Sequence, residues 1–262
     1  MEKRSDGYHN LETVFYPLPL TDILEIIPGP PAKVANVNAP TFSQSGLTIA
    51  GNPGSNLCLK AWSLLRESFP DLPVPQIHLH KIIPMGAGLG GGSADGAFTL
   101  KMLNNLFRLQ ISEPDLAAFA LKLGSDCPFF IGNKPVFATG RGESLFPVKL
   151  DLSLYKMVIV NPGIHISTKE AFSKLTPSVP VKSVQQVIGQ PVTTWKDNLF
   201  NDFEKPVFSL YPAIAEIKES LYKAGALYAA MTGSGSTVYG IFEQNTPLNL
   251  SFPENYVCIT PP

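Results

Sequence analysis

The densest cluster of residues able to do chemistry in this 262-residue sequence is Pro84-Met85-Gly86-Ala87-Gly88-Leu89-Gly90-Gly91-Gly92-Ser93. Glycines at this density let a backbone turn tightly and approach a polyphosphate without β-carbon clashes. The alternating segment Ile77-His78-Leu79-His80-Lys81 predicts a strand leading into the loop, stopped by Pro84. Ala97, Leu100, Lys101, Leu103 and Leu106 predict a helix leading out of it. A helix opening near Ser93 offers free amides and a positive dipole end to phosphates. The Ser93 hydroxyl can add a hydrogen bond or help orient a metal-bound oxygen. Glycine-rich runs also serve as flexible connectors, so the pattern is weak by itself. The sequence has no GxxxxGK[ST], and no acidic residue closes a following strand at dinucleotide spacing. The loop is therefore neither a P-loop nor a dinucleotide fingerprint.

Three further segments carry reactive or ring-bearing residues. In Leu123-Gly124-Ser125-Asp126-Cys127-Pro128-Phe129-Phe130, a carboxylate stands between a helix end and an aromatic pair. Asp126 could accept a proton from an attacking hydroxyl, or simply cap a surface turn. Thr232-Gly233-Ser234-Gly235-Ser236 lies between two apolar segments and fits either a second phosphate contact or a tight hairpin. Asp6-Gly7-Tyr8-His9, followed by Phe15, offers rings that could stack on a planar base, though such rings also serve as core. His78 and His80 share one strand face, but no third metal ligand lies near them in sequence.

The elements that must position these groups are readable from apolar spacing. Residues 22–27 and Leu47-Thr48-Ile49 predict strands, with a polar stretch between them. Asn56 is placed to cap a helix carrying Leu57, Ala61, Leu64 and Leu65. Ser112 and Pro114 open another helix, through Leu116, Phe119, Ala120 and Leu123 to Gly124. Strands are predicted at 136–139 and 156–160, and a second lobe beginning near residue 151. Ser167-Thr168-Lys169-Glu170 has capping-box spacing, predicting a helix from Thr168 to Leu175. Ile214, Ile217, Leu221 and Tyr222 mark a further helix ending near Gly225, before a strand at Leu227–Met231. This mixed order indicates an α+β fold rather than a regular βαβ series.

Composition narrows the classes. Hydrophobic residues make up 44% and charged residues 16%, which allows a sizeable buried core and argues against disorder. A net charge of -1 without a basic stripe gives no nucleic-acid footprint. The three cysteines, Cys58, Cys127 and Cys258, lack CxxC spacing and fit a reducing, cytoplasmic setting. No apolar run reaches membrane-spanning length.

Taken in order, Asp6-Gly7-Tyr8-His9, Pro84–Ser93, Leu123–Pro128, Asn161-Pro162-Gly163 and Thr232-Gly233-Ser234-Gly235 make the chain resemble the GHMP kinases over essentially its whole length. The Asp-Gly-Tyr-His and Gly-Ser-Asp-Cys-Pro-Phe elements resemble one branch in particular, which phosphorylates a cytidine diphosphate-linked methylerythritol in non-mevalonate isoprenoid synthesis. The resemblance implies two lobes, residues 1–150 holding ATP and residues 151–262, with the active site in the cleft between them. It implies γ-phosphoryl transfer from ATP, with Mg²⁺, to a tertiary 2-hydroxyl. Asp126 would be the general base or orienting carboxylate. Tyr8, Phe15 and Phe172 would enclose the cytosine, His9 would bond its edge, and Thr168 would lie near the substrate. Asn56 and Lys81 match positions on the adenosine side, and the loop Gly86–Ser93 covers the triphosphate. No acidic residue stands out as the metal ligand, and both monomer and dimer remain open.

Members of the family begin with a Pro-x-Ala-Lys-Ile-Asn-Leu strand upstream of the Asp-Gly-Tyr-His element. Met1 lies only five residues before Asp6, so the resemblance implies that this strand, and a lysine expected to pair with Asp126, are missing. An exposed sheet edge and weak or absent turnover are the corresponding expectations. Two alternatives stand beside this reading: another GHMP kinase without cytidine selectivity, and a non-catalytic nucleotide-binding protein.

Overall fold

A computed structural model describes residues 4, 9–30, 39–48, 53–175 and 182–260. Asp6, Gly7 and Tyr8 lie outside the described residues. The chain divides into two compact units, one of Met1–Pro19, Gly86–Leu89 and Pro135–Pro262, the other of Leu20–Met85 and Gly90–Lys134. The first unit opens with β1 (Leu11–Phe15).

The second unit comes next along the chain. It contains β2 (Ile23–Pro28), β3 (Thr41–Gly46), α1 (Leu57–Ser68) and β4 (Pro75–Lys81), then α2 (Gly91–Leu106), α3 (Glu113–Leu123) and α4 (Cys127–Gly132). Its sheet runs β2-β4-β3, with β4 antiparallel to β2 and parallel to β3. Ile26, Ile77 and Leu79 of the sheet meet Leu65 of α1 and Leu100 and Leu103 of α2 in one buried core. The α1–α2 crossing is close because Gly96 has no side chain; a β-carbon there would lie 2.9 Å from Leu57 Cβ.

The strand expected at Leu47–Ile49 is instead β3, in the stretch read as polar, and Ile49 lies outside the described residues. β3 is an exposed edge strand, so it needs no apolar alternation. It ends at Gly46, whose φ of 76° turns the chain against the Lys81 carbonyl. Along β4, Ile77, Leu79 and Lys81 point inward while His78 and His80 face the other way. There, His78 hydrogen-bonds Ser43 and Ser45 at 2.8 and 3.0 Å, and His80 bonds Ser45 at 2.9 Å. No group of three or more His, Cys, Asp or Glu among the described residues is placed to hold a metal ion.

The first unit resumes with β5 (Val136–Gly140) and β6 (Ser144–Pro147), which form an antiparallel sheet with β1 in the order β1-β5-β6. These pairings draw residues 11–15 and 136–147 into one unit, so the compact units do not follow a single cut after residue 150. The remainder is β7 (Tyr155–Asn161), α5 (Thr168–Ser173), α6 (Val184–Ile188), a 3-10 helix at Val192–Asp197, α7 (Glu204–Leu210), α8 (Pro212–Lys223), β8 (Tyr228–Met231), β9 (Val238–Glu243) and β10 (Val257–Ile259). A second antiparallel sheet runs β10-β7-β9-β8, and α8 packs Ile214, Ile217 and Leu221 into the core on it.

α5 ends at Ser173, two residues before the expected Leu175, and the capping box at its start is half made. Ser167 Oγ accepts from the Glu170 amide at 3.1 Å, but the Glu170 carboxylate accepts from the Tyr211 hydroxyl instead. No helix of the described residues is long and apolar enough to cross a membrane.

Candidate active site

In the second unit, α2 starts at Gly91 with Gly90 as its cap residue, and no side chain satisfies the first-turn amides. The helix therefore begins two residues earlier than Ser93. Gly90 has a φ of 68°, a conformation that glycine adopts without strain. A β-carbon at Gly90 would lie 2.8 Å from Phe130 Cζ and 4.0 Å from Asp126 Oδ2, so the Asp126 carboxylate borders the start of α2. Asp126 is half-buried and immediately precedes α4, yet its side chain makes no capping bond to that helix. Turn capping is thus not its role in this fold.

Cys127, next along the chain, is no candidate nucleophile. Burial pushes its thiol up to about 12, and the charge of Asp126 adds to the rise. Burial likewise pushes the Cys58 thiol up to about 12. Asn56 caps α1 as the sequence predicts, its Oδ1 accepting from the Cys58 amide at 2.8 Å.

Lys81, expected on the nucleotide side, is 1% exposed. Its ammonium donates to Asp22 at 2.5 Å and to Asp95 at 2.8 Å. The structure thus holds Lys81 in an internal ion triad rather than at an open surface. Asp22 and Asp95 had no signal as site residues in the sequence; the inward side of the Ile77-Leu79-Lys81 alternation was the available clue.

In the first unit, the opening half of the glycine loop packs on the second glycine cluster. Thr232 Oγ1 donates to the Gly88 carbonyl at 2.9 Å, and the Thr237 amide donates to the Ala87 carbonyl at 3.2 Å. Gly88 must be glycine here, since a β-carbon would fall 2.1 Å from the Thr232 carbonyl oxygen and φ is 74°. The cluster is also the hairpin turn between β8 and β9, as one of its two sequence readings has it.

Asn201 and Glu204, unmarked in the sequence reading, pin that hairpin. Asn201 Nδ2 donates to the Met231 and Gly233 carbonyls at 2.7 and 2.8 Å. Glu204 accepts from the Met231 amide at 2.8 Å and from Lys218 Nζ at 2.5 Å. Asn161 is structural too, accepting from the Gly163 amide and donating to Thr237 Oγ1, both at 2.9 Å.

The aromatic groups of this unit partly assemble. His9 stacks on Phe172 at 5.0 Å between ring centroids, and Phe203 meets Phe172 edge-on at 4.9 Å. Thr168 is exposed and lies one helical turn before Phe172, hence on the same face of α5. Phe15 lies on β1, where its ring tip would lie 3.6 Å from a β-carbon at Gly142. Tyr8 lies outside the described residues.

Residues 56–134 match the model for the GHMP kinases N terminal domain, and residues 188–250 match that for the GHMP kinases C terminal. This is the class that an α+β fold with an uncapped helix behind a glycine loop defines. A Bacteroides fragilis protein named 4-diphosphocytidyl-2-C-methyl-D-erythritol kinase is 53% identical over 92% of this chain and 86% of its own length. A crystal structure of 4-(cytidine 5'-diphospho)-2C-methyl-D-erythritol kinase superposes with a TM-score of 0.72 at 31% identity, covering 91% of this chain and 83% of that one. The Methanococcus jannaschii mevalonate kinase shares the fold, with a TM-score of 0.66 at 12% identity over 93% of each chain. The chain belongs to the GHMP kinases and, within them, to the family of these 4-diphosphocytidyl-2-C-methyl-D-erythritol kinases.

Proposed function

We propose that the protein transfers the γ-phosphoryl group of ATP to the 2-hydroxyl of 4-diphosphocytidyl-2-C-methyl-D-erythritol, a step of isoprenoid precursor formation. The observation that carries this reading is the 53% identity over 92% of the chain to the Bacteroides fragilis kinase. The residues present fit a polyphosphate: three loop glycines have positive φ, and the sixteen-residue helix that follows has no side-chain cap at its N-terminus. Gly86 to Ser93 would hold the triphosphate, with Pro84 and Met85 leading in and Asn56 on the adenosine side. Mg²⁺, where bound with ATP, supplies charge neutralisation at the transferring phosphoryl group.

Asp126 holds the reaction's proton. Its carboxylate accepts the proton of the substrate hydroxyl as the new O–P bond forms and the bond from γ-phosphorus to the β-phosphate oxygen breaks, releasing ADP. A loose transition state asks mainly for alignment and charge stabilisation, which suits a site of backbone amides and one carboxylate. On the substrate side, Phe172 and His9 offer a stacking face and a ring nitrogen to cytosine. Phe15, Tyr8 and Thr168 complete the proposed substrate contacts. Free thiols at all three cysteines fit a reducing cytoplasm.

ADP release, followed with ATP and Mg²⁺ across a panel of acceptors, tests the assignment. Release is expected with the cytidine diphosphate-linked methylerythritol and not with homoserine, mevalonate or methylerythritol phosphate lacking the cytidine. Equal release with acceptors lacking cytidine would overturn the substrate assignment. Nucleotide binding without release on any acceptor would overturn the kinase reading.

A further inference from the structure

Strand alternation drives the Lys81 side chain to the same side of β4 as Ile77 and Leu79, where its exposure is 0%. An ammonium cannot remain charged there without partners, and two carboxylates supply them. Asp22 does more than pair with it. Its Oδ1 accepts from the amides of Ile82 and Ile83 at 2.6 and 2.8 Å, the two residues that lead from β4 to Pro84. Asp95 comes from the second turn of α2, and its own carbonyl accepts from Thr99 Oγ1 at 2.7 Å. The ammonium lies directly under the first residue of α2, since a β-carbon on Gly91 would fall 3.0 Å from Lys81 Nζ. One buried cation thus ties together the end of β4, the segment entering the glycine loop and the helix leaving it. With both carboxylates ionised the group carries a net negative charge, so it is ill suited to attract a polyphosphate itself.

We propose that the buried Asp22–Lys81–Asp95 triad positions the N-terminus of α2 for nucleotide binding, with Lys81 acting through the two aspartates rather than by touching the nucleotide. This deepens the kinase reading and rests on it for the identity of the ligand; the placement of α2 can be tested without any ligand. Electrostatic sites depend on preorganised donors, and small displacements of such donors weaken them steeply.

The discriminating variant is Asp22→Asn. Its amide nitrogen would face the Lys81 ammonium, donor against donor, while the loop and Asp126 remain intact. In the ligand-free full chain, amide hydrogen exchange over 94–99, where the hydrogen-bonded turns of α2 begin with the Ala94 amide on the Gly90 carbonyl, is expected to quicken about tenfold, while exchange in β7 and β9 stays as in wild type. The Kd for a non-hydrolysable ATP analogue is expected to rise about tenfold, with the Kd for cytidine diphosphate unchanged. The charge-free set Asp22→Asn with Lys81→Met and Asp95→Asn leaves no orphaned ion and guards against simple unfolding. It should show the same pattern.

Unchanged exchange at 94–99 and unchanged analogue affinity in both variants, even with a lower Tm, would make the triad a packing feature and overturn the proposal. A loss of analogue affinity on Lys81→Met alone, with Asp22→Asn like wild type, would show direct contact and overturn it equally. Quickened exchange in a chain that binds neither the analogue nor cytidine diphosphate would support the positioning of α2 and overturn the kinase reading instead.

Discussion

Asp126 combines three properties that a phosphoryl-transfer base needs: partial burial, no capping bond to its own helix, and a position bordering the start of α2. Replacing it by Asn keeps the shape and removes the proton acceptor. Asp126→Asn should lower kcat by roughly 10²- to 10⁴-fold and leave the Kd for an ATP analogue as in wild type. Steady-state kinetics beside calorimetry checks both, and a collapse of nucleotide affinity would make Asp126 structural. This residue stands out in the sequence because its neighbours announce a helix end and an aromatic wall. Lys81 was legible only in part, as a residue near the loop. Its true surroundings depend on Asp22, fifty-nine positions away, which no local pattern connects to it. Asn201 and Glu204 escaped notice for the same reason, since their partners are backbone groups of a distant hairpin.

Among the elements, those with a clear apolar period were readable close to their observed ends. α3 has its Ser112 cap and Gly124 end, and α8 its buried Ile214–Leu221 stripe. β3 was misplaced because an exposed edge strand carries no alternation to read. α4 went unseen because it has only six residues, too few to show an apolar period. The join between β4 and α2 leaves a pH signature. Burial pushes the Asp95 carboxyl from its ordinary 3.8 up to about 6, against the pull of Lys81 and with the charge of Asp22 adding to the rise. Asp22 before β2 and Lys81 on β4 are the titratable groups acting on it. A carboxyl with a raised folded-state pKa binds its extra proton in the native state. Its stabilising contribution is full below the unfolded value and is lost as pH rises through the folded one. Urea unfolding between about pH 4 and pH 7 should therefore show the stability of wild type minus that of Asp95→Asn falling as pH rises. A flat or rising difference would contradict the assigned burial.

For the whole molecule, family membership was legible because ordered motifs span the chain, and their order survives any uncertainty about individual elements. The division into compact units was not. It depends on β1 pairing with β5 across the entire second unit, and on the glycine loop contributing Gly86–Leu89 to one unit and Gly90 onward to the other. Such pairings between distant segments leave no trace in local composition. The central claim is the chemical one, that a phosphoryl group passes from ATP to a single hydroxyl of a cytidine-bearing acceptor. Phosphorus NMR of the product formed from the acceptor, ATP and Mg²⁺ tests it most directly. The account predicts one new phosphomonoester resonance on the tertiary 2-hydroxyl, an unchanged cytidine diphosphate linkage, and ADP in equal amount. Inorganic phosphate in place of the new ester, or an ester on another hydroxyl, would contradict it.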